Sequence, residues 1–292
     1  MSASPPHALL FGATGPIGRR VLDRLLARGW QVTASSRGAP PPLPGVEWRQ
    51  GALPDTAGAG TGFDAILSCG PLDLFSQWYA ATPTGATPVV AFGSTSVHVK
   101  DRSPDPAERA LAARLREAEE RVAATAAGRD APATLLRPTL VYGGGGDRNL
   151  SRVAALARRH GLFVLPHDAR GRRQPVHVDD LADAALAALD RPGHGLRAFD
   201  LPGGETLAYR DMVARVLDSL QPPGRLWLLP GPLFSLAART ARTLGVHDAG
   251  PAVLQRMRED LVFDAEPARR ALAYAPRGFV PEAWMFEQAG AA

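Results

Sequence analysis

The chain of 292 residues has a single cysteine, Cys69, which excludes an internal disulfide and any metal site built from cysteine pairs. Lysine is equally scarce: Lys100 is the only one, and arginine supplies the rest of the 33 Lys and Arg side chains. Aromatics make up only 7% of the chain, and the net charge of +4 is scattered, with no basic stripe interleaved with aromatics. That pattern argues against nucleic acid as a partner. No run approaches the ~20 uninterrupted apolar residues of a membrane span. The opening MSASPPHALLFGATG is not laid out as a signal peptide, because its apolar run flows straight into a glycine turn. The expectation is a cytoplasmic protein with no membrane partner, whose 45% hydrophobic content fills one large α/β unit or a domain with an extension.

What the chain does have begins at residues 9–18, LLFGATGPIG, where an apolar run breaks into three glycines spaced three apart. The spacing predicts a buried strand over His7–Phe11 and a helix over Ile17–Arg28. A pyrophosphate would rest on the exposed amides at the positive end of that helix. Gly12 allows the tight turn, Gly15 lets the backbone approach phosphate, and Gly18 lets helix and strand pack without a Cβ between them. Pro16 sits where a helix tolerates the loss of an N–H.

Further strands are expected at QVTAS (31–35), VEWRQ (46–50), FDAILSCG (63–70), TPVVAFGS (87–94) and ATLLRPTLVYG (133–143). The span Ala107–Ala124 carries Leu111, Leu115, Ala118 and Val122 at helical spacing. Strands alternating with helices give an α/β fold, a doubly wound parallel Rossmann sheet. The reading divides the chain into a dinucleotide-binding domain over 1–143 and a smaller, discontinuous substrate lobe over 144–292, with some segments returning to the sheet. In that second part a helix is expected near Leu150–His160, a short strand at FVLP, and a helix in HVDDLADAALAALD with Asp179 as its N-cap. RAFDLPGGETLAYRDMVARVL should give a strand, a turn and a helix. LWLLPGPLFSLAARTARTLG (226–245) reads as a proline-started amphipathic helix capping the lobe. His177, Asp179 and Asp180 only superficially resemble a metal cluster, and no metal is expected.

GATGPIG after the first strand, STSVHVKD after the fifth, LLRPTLVYGGGGDR, and QPVHVDDLADA together resemble the extended short-chain dehydrogenase/reductase superfamily, in particular its NAD-dependent epimerase/dehydratase group. The resemblance runs from about residue 7 to 285. It implies that the dinucleotide is held by Gly12, Thr14, Gly15, Pro16, Ile17, Gly18 and Arg19 in the turn, by Ser36 and Arg37 after the second strand, by Cys69 and Gly70 after the fourth, and by Pro138 beside the nicotinamide. NAD-using members carry an acid after the second strand, whereas this chain reads Ser35, Ser36, Arg37. An arginine there suits a 2′-phosphate, so NADP is expected ahead of NAD. Ala52 stands where relatives often place an aspartate for the adenine.

The family's proton transfer rests on a Tyr-x-x-x-Lys pair, and this chain cannot form one. Four residues beyond Tyr79, Tyr142, Tyr209 and Tyr274 stand Pro83, Gly146, Val213 and Gly278, and the family's positions fall on Leu111 and Leu115. Ser94 matches the serine that orients the substrate oxygen. His98, Tyr142 and a water are the candidates for the absent phenol's role, since the imidazole changes charge near neutral pH and Tyr142 ends its strand near the cleft. Ser96 and Lys100 are four apart, but in a loop that spacing fixes no shared face. Arg173, before QPVHVDD, matches an arginine that binds the diphosphate in sugar-nucleotide enzymes, and Arg148 would be a second clamp. The reading is an atypical extended member: an oxidoreductase or epimerase-like enzyme acting on a small hydroxylated or carbonyl compound or a nucleotide sugar. The alternative is a dinucleotide-binding redox sensor or assembly factor without turnover. The sequence leaves the oligomeric state open, with a homodimer as one assembly.

Overall fold

The computed structural model describes residues 4–55, 60–145, 147, 149–234 and 251–287. Seven strands form one parallel sheet in the order β11-β6-β5-β4-β1-β2-β3, with β1 His7–Phe11, β2 Gln31–Ser36, β3 Val46–Gln50, β4 Ala65–Ser68, β5 Val89–Phe92, β6 Ala133–Pro138 and β11 Leu196–Leu201. The order reverses between β1 and β4, and that is where a crevice opens beyond the strand ends in doubly wound sheets. Alternation along β1 divides the core. Ala8 and Leu10 face a cluster with α1 (Pro16–Ala27) and α6 (Val178–Asp190). Leu9 and Phe11 face the other side, against α2 (Leu72–Ala81) and α4 (Pro106–Gly128), where Phe75, Trp78 and Tyr79 pack.

The expected strand 133–143 divides in two. Pro138 has no N–H with which to continue a ladder, and beyond it β7 (Val141–Tyr142) pairs instead with β10 (Val176–His177). Around Tyr142 a second core gathers from α5 (Leu150–His160), α7 (Tyr209–Ser219) and Phe279, Met285 and Phe286. Two short pairs flank it: β8 (Leu162–Pro166) with β13 (Arg225–Leu229), and β9 (Arg172–Arg173) with β12 (Leu207–Ala208). The start of the expected amphipathic helix at 226–245 is therefore a strand through Leu229, and residues 235–245 lie outside the described residues. Two helices, α8 (Pro251–Arg258) and α9 (Glu266–Leu272), complete the set used below.

Helix ends follow local chemistry. Asp105 caps α4 by accepting the Ala107 N–H at 2.8 Å, with Pro106 in the first turn. At α6 the expected cap is corrected: His177 is the N-cap, its Nδ1 accepting the Asp179 N–H at 3.2 Å. Asp179 is already inside the first turn, where Arg20 at 3.4 Å, Arg24 at 3.3 Å and Arg277 at 3.7 Å engage its carboxylate.

Candidate functional site

The glycine turn has the geometry the sequence predicts. Gly12 has φ +75°, and a Cβ on it would stand 2.8 Å from the Cys69 carbonyl carbon and 2.9 Å from the Gly70 nitrogen. The turns after β1 and β4 touch only because that side chain is missing. A Cβ on Gly18 would run into the Gly12 carbonyl oxygen. At Gly15 the nearest atom would be the Gly12 oxygen at 3.3 Å, and otherwise the space is open. Gly15 is the N-cap of α1, so this open space lies at the amide end of the helix. A cavity of about 690 Å³ borders it, lined by Thr14, Gly15, Pro16 and Arg19 on one side and by Gly143–Gly145 and Trp284 on the other. These residues fit a dinucleotide's phosphates: a cradle that a side chain would fill, amides at a helix start, and Arg19 beside it.

Ile17 lies in the first turn of α1 and packs against the core. Ser36 ends β2, and the Arg37 side chain is exposed with no partner among the described residues. Gly70 follows Cys69, whose amide donates to the Phe11 carbonyl at 2.9 Å. Burial pushes the Cys69 thiol up to about 12, which favours the protonated form at neutral pH. Pro138 is tied to the end of β5, since its carbonyl accepts from the Thr95 N–H and Oγ, both at 3.2 Å.

A second cavity, of about 460 Å³, opens beyond β5 and β6. Ser94, Ser96, Lys100, Thr139, Asp147, Arg173, Tyr209 and Arg256 line it. Ser94 Oγ accepts the Ser96 N–H at 3.1 Å, which leaves its own hydroxyl proton to donate elsewhere. Arg173 is 5% exposed; it donates to the carbonyls of Arg172 (2.8 Å), Glu259 (2.7 Å) and Arg256 and lies over the Tyr209 ring at 5.4 Å. No carboxylate pairs with it among the described residues. Arg148 lies outside the described residues.

Two sequence candidates face elsewhere. His98 lies on the short helix α3 (Ser96–Val99), but its Nε2 meets Asp200 at 3.1 Å and its ring nears Phe263. It borders a neighbouring cavity with Arg102 and Glu259 instead of the Ser94 cavity. Asp200, fixed on β11, is the stronger attraction. Tyr142 is 1% exposed, with its hydroxyl 3.3 Å from the Gly278 carbonyl and its ring packed edge-on to His177 and Phe279. Burial pushes the phenol up to about 12, and it belongs to the second core, away from the Ser94 cavity.

Sequence reasoning passed over Lys100, Tyr209 and Arg256. Lys100 was legible in principle: Ser96 and Lys100 lie on one helical turn, the Lys100 N–H donating to the Ser96 carbonyl at 3.1 Å, so four-residue spacing does give a shared face. Nothing in the sequence places Arg256, which reaches the cavity from α8.

His177 is buried, and its Nε2 has no partner among the described residues. Burial, and then the Arg277 charge, hold its pKa below the usual imidazole value, with Asp179 and Asp180 pulling the other way. The unfolded chain therefore takes up a proton near about pH 6.5 that the folded chain refuses. Stability present above that pH should be lost as pH falls through it. The thermal midpoint of the wild type should drop more between about pH 7 and 5.5 than that of His177→Asn, which keeps a capping side chain. Equal slopes would remove His177 from the account.

Residues 79–200 match the model of the NAD dependent epimerase/dehydratase family. Among curated proteins, the chain is 24% identical to the uncharacterized protein y4nG of Sinorhizobium fredii, over 92% of this chain and 74% of that one. It is also 24% identical to the UDP-glucose 4-epimerase of Vibrio cholerae, over 59% of this chain and about half, 52%, of the relative. Among solved structures, MoeE5 in complex with UDP-glucuronic acid and NAD superposes with a TM-score of 0.71 at 17% identity, covering 96% of this chain and 97% of that one. Residues 79–200 thus resemble the NAD dependent epimerase/dehydratase family, and the seven-stranded parallel sheet has the Rossmann-type fold of the solved epimerase and dehydratase structures it superposes on.

Proposed function

We propose that the chain is an epimerase-like enzyme that binds a nicotinamide dinucleotide on the Gly12–Gly18 turn and a hydroxylated or carbonyl compound, of the nucleotide-sugar class, in the Ser94 cavity. The observation that carries this reading is the open space at Gly15 on the amide end of α1, in a molecule that also keeps Ser94 and Arg173 on one cavity. When bound, the dinucleotide supplies hydride exchange at its nicotinamide. The chain's own residues do the rest. Ser94 Oγ, its lone pair engaged by the Ser96 N–H, donates a hydrogen bond that orients the substrate oxygen. Arg173, free of carboxylate partners among the described residues, offers its remaining N–H groups to an anion. MoeE5 is described with UDP-glucuronic acid and NAD, which supports the substrate class.

Calorimetry with NAD and then UDP-glucose tests the reading, with binding of both expected. The dinucleotide binding without any turnover of nucleotide sugars would favour a sensor or assembly role, in line with the apolar Leu111 and Leu115 at the family's proton-transfer positions.

Cofactor preference turns on Arg37. The NAD held by MoeE5 supports the unphosphorylated form, and the exposed arginine after β2 supports the phosphorylated one. We expect NADPH to bind about tenfold or more tightly than NADH, as a charge-assisted bond of about 1.5–3 kcal/mol allows. Arg37→Asp should erase or reverse the ratio. Equal affinities in the unaltered protein would take Arg37 out of recognition.

A further inference from the structure

We infer that Lys100 is the proton-exchanging group of the Ser94 cavity, doing the work of the phenol that the chain lacks at its family's position. The inference rests on the epimerase-like reading above. Lys100 follows directly on α3, shares a helical turn with Ser96, and lines the same cavity as Ser94. The other titratable groups on that cavity are unsuited to the task. Asp147 is spent on the start of α5, accepting the N–H groups of Asn149 (3.0 Å) and Leu150 (2.6 Å) and the hydroxyl of Ser151 (2.5 Å). Arg173 and Arg256 keep their protons at any working pH. Burial moves the Tyr209 phenol upward, away from exchange near neutrality.

The charges facing Lys100 come from two further elements. On α4, Glu108 lies 3.6 Å from Nζ, and Asp105 stands at the cap; on α8, Arg256 contacts the same Glu108 carboxylate more closely. Asp101, next in the chain, pairs with Arg116 at 3.9 Å. Lys100 thus shares its nearest carboxylate with a second cation. Burial and the Arg256 charge hold the ammonium below the usual lysine range, with Asp105 opposing. A poised amine of this kind can both give and take a proton. In the oxidising direction the substrate's O–H bond breaks as an N–H bond forms on neutral Nζ, and a bound oxidised nicotinamide dinucleotide would supply the acceptor for the carbon's hydride. The return direction reverses both movements.

Because Lys100 is the only lysine, protein labelled with ¹³C,¹⁵N-lysine gives a single side-chain signal. Its titration midpoint should lie below that of free lysine, and Arg256→Gln should move it upward by removing the repelling charge and releasing Glu108. With NAD present, UDP-glucose should shift the same signal. Lys100→Met should lower turnover by about a hundredfold or more while leaving NAD affinity unchanged. A Lys100 midpoint at the free-lysine value, or wild-type turnover in Lys100→Met, would overturn the inference. Failure of the unaltered protein to bind NAD would overturn the proposed function instead, and the lysine titration keeps the two failures apart.

Discussion

Gly15→Val should abolish dinucleotide binding, weakening it by about a hundredfold or more, while the far-UV spectrum and thermal midpoint stay near those of the wild type. Gly15 has φ −79° and ψ 167°, an extended backbone that any residue adopts. The added Cβ would meet only the Gly12 oxygen at 3.3 Å, a contact that a shift of a few tenths of an ångström relieves. The valine methyls instead occupy the space over the first amides of α1, where a phosphate would lie. Gly18→Ala makes the opposite prediction. Its Cβ runs into the Gly12 carbonyl, so the turn or the helix must move and stability falls. The two variants, measured by calorimetry with NADPH and by thermal unfolding, separate a glycine needed for a ligand from one needed for packing. Normal binding by Gly15→Val would mean that the turn serves packing alone.

The sheet was readable because its strands are short apolar runs closed by small residues, and because three glycines three apart admit few other arrangements. Side-chain direction around the second cavity was another matter. His98 was placed in the cleft by its position in the STSVHVKD motif beside Ser94 and Tyr142 by ending its strand, yet partners remote in sequence decide where they point: Asp200, 102 residues on, takes the imidazole, and Gly278, 136 residues on, takes the phenol. Lys100 was hidden by a local misreading, since STSVHVK was taken for a loop and is one helical turn. The His177 cap was missed for a related reason. Aspartate is the commoner cap, but the Asp179 carboxylate is engaged by three arginines, and His177 Nδ1 accepts the Asp179 N–H instead.

The ion network behind His98 carries the second large effect. Arg137, just before Pro138, makes a two-pronged pair with Glu119 at 2.7 and 2.6 Å and lies 3.7 Å from Asp200, which in turn holds His98. Arg137 and Glu119 are mostly buried, with side chains 17% and 11% exposed, and Glu119 has no other cation within ion-pair distance among the described residues. Arg137→Met should therefore strand a buried carboxylate and cost about 3–5 kcal/mol, lowering the thermal midpoint by on the order of 10 °C. Glu119→Leu should cost less, because Asp200 remains to face Arg137. The double variant Arg137→Met with Glu119→Leu should recover much of the loss, since an apolar pair needs no desolvated charge. His98→Ala belongs to the same series: it should lower stability slightly and leave turnover intact, because the ring is engaged by Asp200 and faces away from Ser94. If His98→Ala instead removed turnover at unchanged stability, the imidazole would be the proton donor and the assignment to Lys100 would fail with it.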